Sequence, residues 1–178
     1  MPRPPALRSV STLPIDWTFN DEHATSPELT IGLRLQFSEP GAITGVRFLQ
    51  SVNDAGFHGA ALYGPDFALQ RIAAFLPSEI AGGEVTWSWA LRQLRPVWPV
   101  EANTLYVFSV SFAQVYYASS AGFLSASDVS VGPVTIRQND FDGFSGNGVF
   151  QYGPFSIEPS NSLHNGTIYG IEPLFQPE

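Results

Sequence analysis

Cysteine and lysine are both absent from this chain of 178 residues, and each absence excludes whole classes of chemistry. Without cysteine there is no disulfide framework, no zinc–thiolate site and no cysteine nucleophile. The eight basic residues are all arginine. Schiff-base chemistry on a lysine and a phosphate-binding loop that ends in lysine are therefore excluded as well.

Charge is also scarce, and it is unevenly divided. Charged residues make up 13% of the chain, and 16 acids against eight arginines give a formal net charge of −8. An acidic chain without a basic cluster is a poor partner for nucleic acid or for an anionic membrane surface. No apolar run approaches the length of about 20 residues that crosses a bilayer, and the opening MPRPPALRSV lacks the apolar segment of a secretory signal. We expect no nucleic-acid partner, no membrane insertion and no signal peptide in this chain.

Alternation of apolar and polar residues is the main structural signal. Residues 29–37, LTIGLRLQF, place five apolar side chains on one face, and residues 43–52 and 84–91 repeat the alternation. Such a period of two predicts β-strands. Residues 104–112, TLYVFSVSF, are apolar on both faces, which is typical of a strand covered on each side. Residues 68–76, ALQRIAAFL, fit either a short helix or a strand.

About nine or ten short strands, separated by glycine, asparagine, aspartate or proline, predict an all-β, antiparallel, jelly-roll-like β-sandwich. Its core is predicted to contain Trp87, Trp89, Phe108 and Phe112. We assign the sandwich to residues 28–178. Residues 1–27 are interpreted as an extended, proline-rich N-terminal arm, because Pro2, Pro4, Pro5 and Pro14 fix the backbone there.

A series of short motifs in the predicted sandwich resembles one bacterial family. Residues 56–63, GFHGAALY, are similar to a "G-T-H-x-G-x-L-W" signature of the family filed as domain of unknown function 4082. Five more segments match its motifs in order: TGVRF at 44–48, EANTLYV at 101–107, AGF at 121–123, VGPV at 131–134 and NGVFQYG at 147–153. The chain departs from the pattern at Phe57, at Tyr63 and in its last strand, IYGIEPLF.

The resemblance implies a β-sandwich of extracellular bacterial proteins, where it accompanies adhesion or carbohydrate-active modules, and of tailed-phage-type particles. It also implies carbohydrate binding without an established catalytic centre. The departure in the last strand puts any inherited site near the C-terminus in doubt.

The chain offers little for catalysis or for a metal. No G-x-S-x-G motif accompanies the three histidines, and we expect no enzymatic activity. His58 is interpreted as a structural residue that bonds a neighbouring loop. No cofactor is expected. The acidic loop around Asn139, Asp140 and Asp142 offers oxygen ligands of the kind that a structural calcium ion uses, but the spacing is poor and a solvated turn is the better interpretation.

Aromatic side chains make the best case for a ligand. Sugars stack their apolar C–H faces on exposed rings, while amides and carboxylates bond their hydroxyl groups. The candidate ligand-binding residues are Trp98, Tyr116, Tyr117, Asn139, Asp140 and Asp142. Core or interface packing is the alternative for each aromatic residue. Adjacent strand residues face opposite ways, so one of the two tyrosines is expected to be exposed.

These observations lead to one function and two rivals. We expect a non-catalytic attachment module of a phage-like particle or surface appendage (a spike, fibre or decoration protein) that binds cell-surface polysaccharide. Residues 1–27 would dock on other subunits, and the location would be a virion or an extracellular surface. The rivals are a carbohydrate-binding accessory domain of a secreted enzyme or adhesin, and a purely structural virion protein. The oligomeric state stays open, a homo-oligomer included.

Overall fold

The computed structural model describes residues 20–23, 28–51, 58–75, 87–112, 116–138, 146–153, 161–162 and 166–178. For residues 20–23, 87–88, 116 and 161–162 it describes the backbone alone. Within these residues there are fourteen β-strands and no helix: β1 (Asn20–His23), β2 (Leu29–Phe37), β3 (Gly41–Ser51), β4 (His58–Tyr63), β5 (Leu69–Phe75), β6 (Trp87–Val100), β7 (Leu105–Phe112), β8 (Tyr116–Ser120), β9 (Val129–Val131), β10 (Val134–Ile136), β11 (Val149–Tyr152), β12 (Asn161–Ser162), β13 (Ile168–Tyr169) and β14 (Ile171–Pro177). The described part of the chain therefore contains no helix that could cross a membrane.

The strands form one large sheet and two small ones, and every pairing is antiparallel. The large sheet has the order β12-β11-β2-β7-β4-β5, with β10 joined to β2 and β9. The small sheets have the orders β14-β3-β6 and β1-β8-β13. They adjoin at Gly170, whose N–H donates to the Ala118 carbonyl while its own carbonyl accepts from the Leu49 N–H. Together the small sheets make a second layer opposite the large one.

The core lies between these two layers. Phe37 of the large sheet stacks on Phe175 of β14 with ring centroids 4.6 Å apart. Phe48 of β3 meets Phe112 of β7 edge to face at 5.8 Å. All four rings are 1% exposed or less. Such offset and edge-to-face contacts are the preferred geometries of aromatic pairs. The prediction of an all-β antiparallel sandwich is confirmed.

The predictions for individual segments have different outcomes. Residues 29–37 form β2, and β7 is buried along almost its whole length, as its apolar faces predicted. In the segment that fitted either a short helix or a strand, Leu69–Phe75 form a strand that pairs with β4 at the edge of the large sheet. Four residues of the predicted arm, Asn20–His23, form β1 and pair with β8. The rest of that arm, residues 1–19 and 24–27, lies outside the described residues.

Candidate functional site

Near its start, strand β6 turns Trp89 and Leu91 away from the core. Along it, Ala90 and Arg92 point inward and are 9% and 8% exposed, whereas Trp89 and Leu91 point outward and are 38% and 51% exposed. The placement of Trp89 in the core is therefore wrong. Antiparallel register explains the inversion, because Phe48 of β3 lies opposite Ala90 and already fills the core there. A one-residue shift would exchange the two faces of β6.

The outward residues of β6 define what we call the β6 face: Trp89, Leu91, Gln93, Arg95 and Val97. Each of the five side chains is exposed, while Leu94, Trp98 and Val100 of the same strand are buried. A row of exposed apolar and polar side chains on a rigid strand is a surface with no role in the core. Exposed apolar rows of this kind commonly mark binding sites.

Arg47 supports Trp89 from the neighbouring strand. Its guanidinium carbon lies 4.3 Å from the centre of the Trp89 ring, which is cation–π distance. The same guanidinium forms an ion pair with Glu172 of β14, whose side chain is fully buried. Arg47 lies directly opposite both Leu91 and Glu172 in the three-stranded sheet. The Arg47 guanidinium therefore stabilises the position of the Trp89 ring, and the ion pair with Glu172 keeps that guanidinium in place.

Two depressions adjoin the β6 face. A groove of about 720 Å³ separates β6 from β5; it is lined by Ile72, Ala73, Ala74, Phe75, Leu91, Arg92, Gln93, Leu94 and Arg95. A smaller depression of about 300 Å³ lies on the outer side of the three-stranded sheet; it is lined by Thr44, Leu91, Gln93, Leu94, Arg95, Val97, Leu174 and Gln176. The two share four residues of β6, so they form one continuous surface around this edge of the sandwich.

The opposite edge of the sandwich carries what we call the aromatic corner: Leu29, Ile31, Tyr117, Phe150, Tyr152 and Tyr169. Tyr117 and Tyr169 meet edge to face with centroids 5.9 Å apart, and Phe150 meets Tyr152 at 5.8 Å. The rings leave a cavity of only about 60 Å³ between them. Tyr152 is 48% exposed, while Tyr169 is buried.

The structure does not bring the sequence-predicted site residues together. Trp98 is 2% exposed and lies opposite Ile43 in the core, so its ring offers no face to a ligand and we remove it from the candidate site. Tyr117 is half-buried in the aromatic corner. The Tyr116 side chain is not described, and Asn139, Asp140 and Asp142 lie outside the described residues, as does the loop offered for calcium. Among the described residues, no group of three or more histidine, aspartate or glutamate side chains could hold a metal ion.

His58 is a structural residue, although it bonds a strand and not a loop. Its Nδ1 lies 3.3 Å from the Ser111 carbonyl of β7, and its Nε2 lies 3.0 Å from the Gln50 amide nitrogen. A carbonyl can only accept, so Nδ1 carries the proton and Nε2 accepts from Gln50. Burial lowers the pKa of His58 to about 4, the bond to Ser111 opposes this, and the positive charge of Arg92 adds to the lowering. The ring is neutral at neutral pH.

Asn147 is a second structural residue among those that carry the family resemblance. Its Oδ1 accepts from the backbone N–H of Arg34 at 2.8 Å and of Gly148 at 2.7 Å. Its Nδ2 donates to the Arg34 carbonyl at 2.7 Å and to the Arg137 carbonyl. Gly148 has φ +77°, and a Cβ there would collide with the Thr167 carbonyl oxygen. Asn147 therefore links this turn to β2 by hydrogen bonds, and Gly148 allows the backbone conformation that the turn requires.

Sequence reasoning missed Trp89, Arg47 and Arg95 as site residues. The alternation of β6 shows that Trp89 and Leu91 share a face, but alternation does not say which face meets the core. Arg92 on the other face is misleading, because arginine is mostly exposed in proteins and its position therefore favours the incorrect placement of Trp89 in the core.

Comparison with known proteins identifies a family but no individual relative. No curated protein matches the chain, and no solved structure matches it. The family model described as "Domain of unknown function (DUF4082)" matches residues 18–170, which include β1 to β13 and the two structural motifs around His58 and Asn147. That match covers well over half of the chain, and the protein belongs to the DUF4082 family.

Proposed function

We propose that this domain is a non-catalytic glycan-binding module that attaches its carrier to cell-surface polysaccharide through the β6 face. The observation that carries the proposal is the exposure of Trp89, on a strand whose other face is buried. An indole ring presents a flat, apolar, electron-rich surface. The C–H face of a pyranose ring packs on such a surface while its hydroxyl groups stay free to form hydrogen bonds.

The surroundings of Trp89 supply those hydrogen bonds. Gln93 and Arg95 lie farther along the β6 face, and Thr44 and Gln176 line the adjoining depression. Amide, guanidinium and hydroxyl groups are the donors and acceptors that sugar hydroxyls pair with. Strands hold such groups in fixed positions better than loops do. Aromatic stacking with polar groups along one line supports binding of a chain-like glycan.

The absence of catalysis is part of the proposal. His58 has both ring nitrogens engaged inside the sandwich, and its depressed pKa keeps it neutral, so it is not placed to exchange protons with a bound sugar. Glu172, the carboxylate nearest Trp89 on this sheet, is buried and paired with Arg47. Neither group meets the requirement that a general acid or base reach the reacting atom.

The carrier of the module is proposed from the sequence. A phage-like particle or surface appendage, with residues 1–27 docking on other subunits, remains our first proposal, and a secreted enzyme or adhesin is its rival. The third candidate, a structural protein without a glycan, is favoured by one observation: Leu91 and Val97 are about half exposed on the same face as Trp89. Such apolar side chains also suit a protein interface.

Binding to immobilised glycans tests the proposal. The wild-type protein is applied in its native oligomeric form, so that avidity is preserved, and Trp89→Ala is compared with Phe123→Ala, which removes an exposed ring elsewhere. We expect Trp89→Ala to weaken binding at least about tenfold, as truncation of a central aromatic anchor does, and Phe123→Ala to bind like the wild type. Failure of the wild type to bind any glycan would refute the proposal. A wild-type oligomer that Trp89→Ala dissociates would favour the structural candidate.

A further inference from the structure

The two strands that border the groove carry positive charge and no negative charge, although the molecule as a whole is acidic. Strands β5 and β6 contain Arg71, Arg92 and Arg95 and neither contains aspartate or glutamate. The rest of the chain holds the other five arginines and all 16 acidic residues. Such segregation concentrates a local positive potential on a protein of opposite net charge, and a cleft between low-dielectric walls focuses it.

The arginines lie at different depths of this groove. Arg92 is 8% exposed, lines the groove and donates from Nη1 to the Leu91 carbonyl at 2.8 Å. Arg95 is exposed at the point where the groove meets the outer depression. None of the nine residues lining the groove is acidic. An anion in the groove would therefore meet one cation at the wall and a second at the rim, with no carboxylate opposing it among these residues.

We propose that the polysaccharide bound by this domain is acidic, and that its carboxylates pair with Arg95 at the rim of the β5–β6 groove while its sugar rings pack on Trp89 and Leu91. This inference rests on the proposed glycan-binding function and names the chemical class of its ligand. A planar guanidinium matches a carboxylate in a two-pronged geometry, and this pairing is stronger than a bond to a neutral hydroxyl.

The position of the charges relative to the apolar residues selects a sugar acid over other anions. Leu91 and Arg95 are on the same face of one strand, and both also line the groove. Because the two residues are four positions apart on the strand, roughly 13 Å, a ligand that satisfies both needs apolar ring faces on one sugar and a carboxylate on a nearby sugar of the same chain, which a polyuronic acid provides. The formal charge of −8 opposes every polyanion at long range, so the selection of a sugar acid rests on this local combination of an apolar residue with an arginine.

Affinity electrophoresis of the full chain tests the inference with three polymers: polygalacturonate, its methyl ester and dextran. Arg95→Gln is compared with Arg71→Gln, a matched removal of one charge on β5 outside the groove lining. We expect polygalacturonate to bind most tightly. Arg95→Gln should weaken binding about fivefold, and Arg71→Gln less than twofold, because a direct ion pair contributes up to about 1 kcal/mol and a distant charge is screened by salt.

The outcomes separate the two proposals. If the ester binds as tightly as polygalacturonate and Trp89→Ala abolishes both, the inference of an acidic ligand is overturned and the glycan-binding function stands. If none of the three polymers binds, and no glycan binds in the immobilised set, both fail. Equal losses for Arg71→Gln and Arg95→Gln would overturn the groove as the site.

A further variant addresses the connection between the two strands, residues 76–86, which lies outside the described residues and contains Glu79 and Glu84. The double change Glu79→Gln and Glu84→Gln removes both acids from this connection. We expect binding of polygalacturonate to stay equal or to tighten. Weaker binding would mean that recognition depends on carboxylates, and it would overturn the proposal.

Discussion

The two lateral edges of the sandwich differ in how completely side chains fill the space between the sheets. At the aromatic corner, tyrosine and phenylalanine rings from both layers meet and leave a cavity of about 60 Å³. At the β5–β6 edge the inward residues of β6 include Ala90 and Arg92, and a groove of about 720 Å³ remains. Large rings close an edge because they reach across the space between the sheets. A small side chain cannot reach, and a charged one needs access to water or to a counter-ion.

The difference assigns separate tasks to the two edges. Burial of a ring between sheets is worth several kcal/mol of stability, whereas an exposed side chain contributes little to folding. We therefore expect the aromatic corner to be needed for stability and the β5–β6 edge to be needed for binding. The predictions that follow test this division, beginning with the largest expected effect.

Truncation of the buried ring at the aromatic corner is expected to be the most destabilising change. Tyr169→Ala should lower the free energy of unfolding by about 3–4 kcal/mol, because it removes a ring that is 2% exposed and leaves a cavity. Tyr152→Ala, at a residue 48% exposed, should cost about 1 kcal/mol. Urea unfolding followed by tryptophan fluorescence measures both. Equal effects of the two changes would show that the corner does not close this edge.

The pH dependence of stability is expected to come in part from His58, whose pKa is lowered mainly by burial and further by the positive charge of Arg92 on the β5–β6 side. The folded state holds the pKa of His58 at about 4, below its ordinary value of 6.5, so the fold favours the neutral ring. Its stabilising contribution is complete above pH 6.5 and is lost as the pH falls from 6.5 towards 4, by about 3 kcal/mol in all. As the pH is lowered across this range, the free energy of unfolding should therefore fall more steeply in the wild type than in His58→Gln. Parallel curves for the two proteins would contradict the assignment.

The smallest effect on stability is expected on the β6 face. Leu91→Ala should change the free energy of unfolding by less than about 0.5 kcal/mol, because the side chain is 51% exposed. The same variant should weaken binding to whichever polysaccharide the wild type binds. A destabilisation above about 1.5 kcal/mol would mean that Leu91 is packed in the folded protein, and the contrast between the two edges would disappear.

Much of the scaffold was predictable from local pattern. The alternation in residues 29–37 predicted β2, and the two-sided apolar character of residues 104–112 predicted a strand buried on both faces. The motifs around His58 and Asn147 predicted the family, and the family model matches. These features are readable because strand periodicity and turn chemistry depend on residues close in sequence.

The candidate site was not predictable in the same way. Trp89 and Trp98 are both tryptophans on one strand, yet one is 38% exposed and the other 2%. The register shift between Ile43 and Gly45, opposite residues 93–98 of β6, lies between them. Which face of β6 meets the core depends on how β3 is placed, and no local pattern in β6 contains that information.

The sequence by itself determined that this protein is an antiparallel β-sandwich of its family, poor in charge and without cysteine or lysine chemistry. Those properties follow from composition, from a period of two and from short motifs. The tertiary structure alone decided that Trp89 faces outward, that Arg47 supports it, and that β5 and β6 become neighbouring edges of different sheets. Residues 71 and 95 lie far apart in the chain, and the order of strands within each layer brings their charges to one side of the molecule.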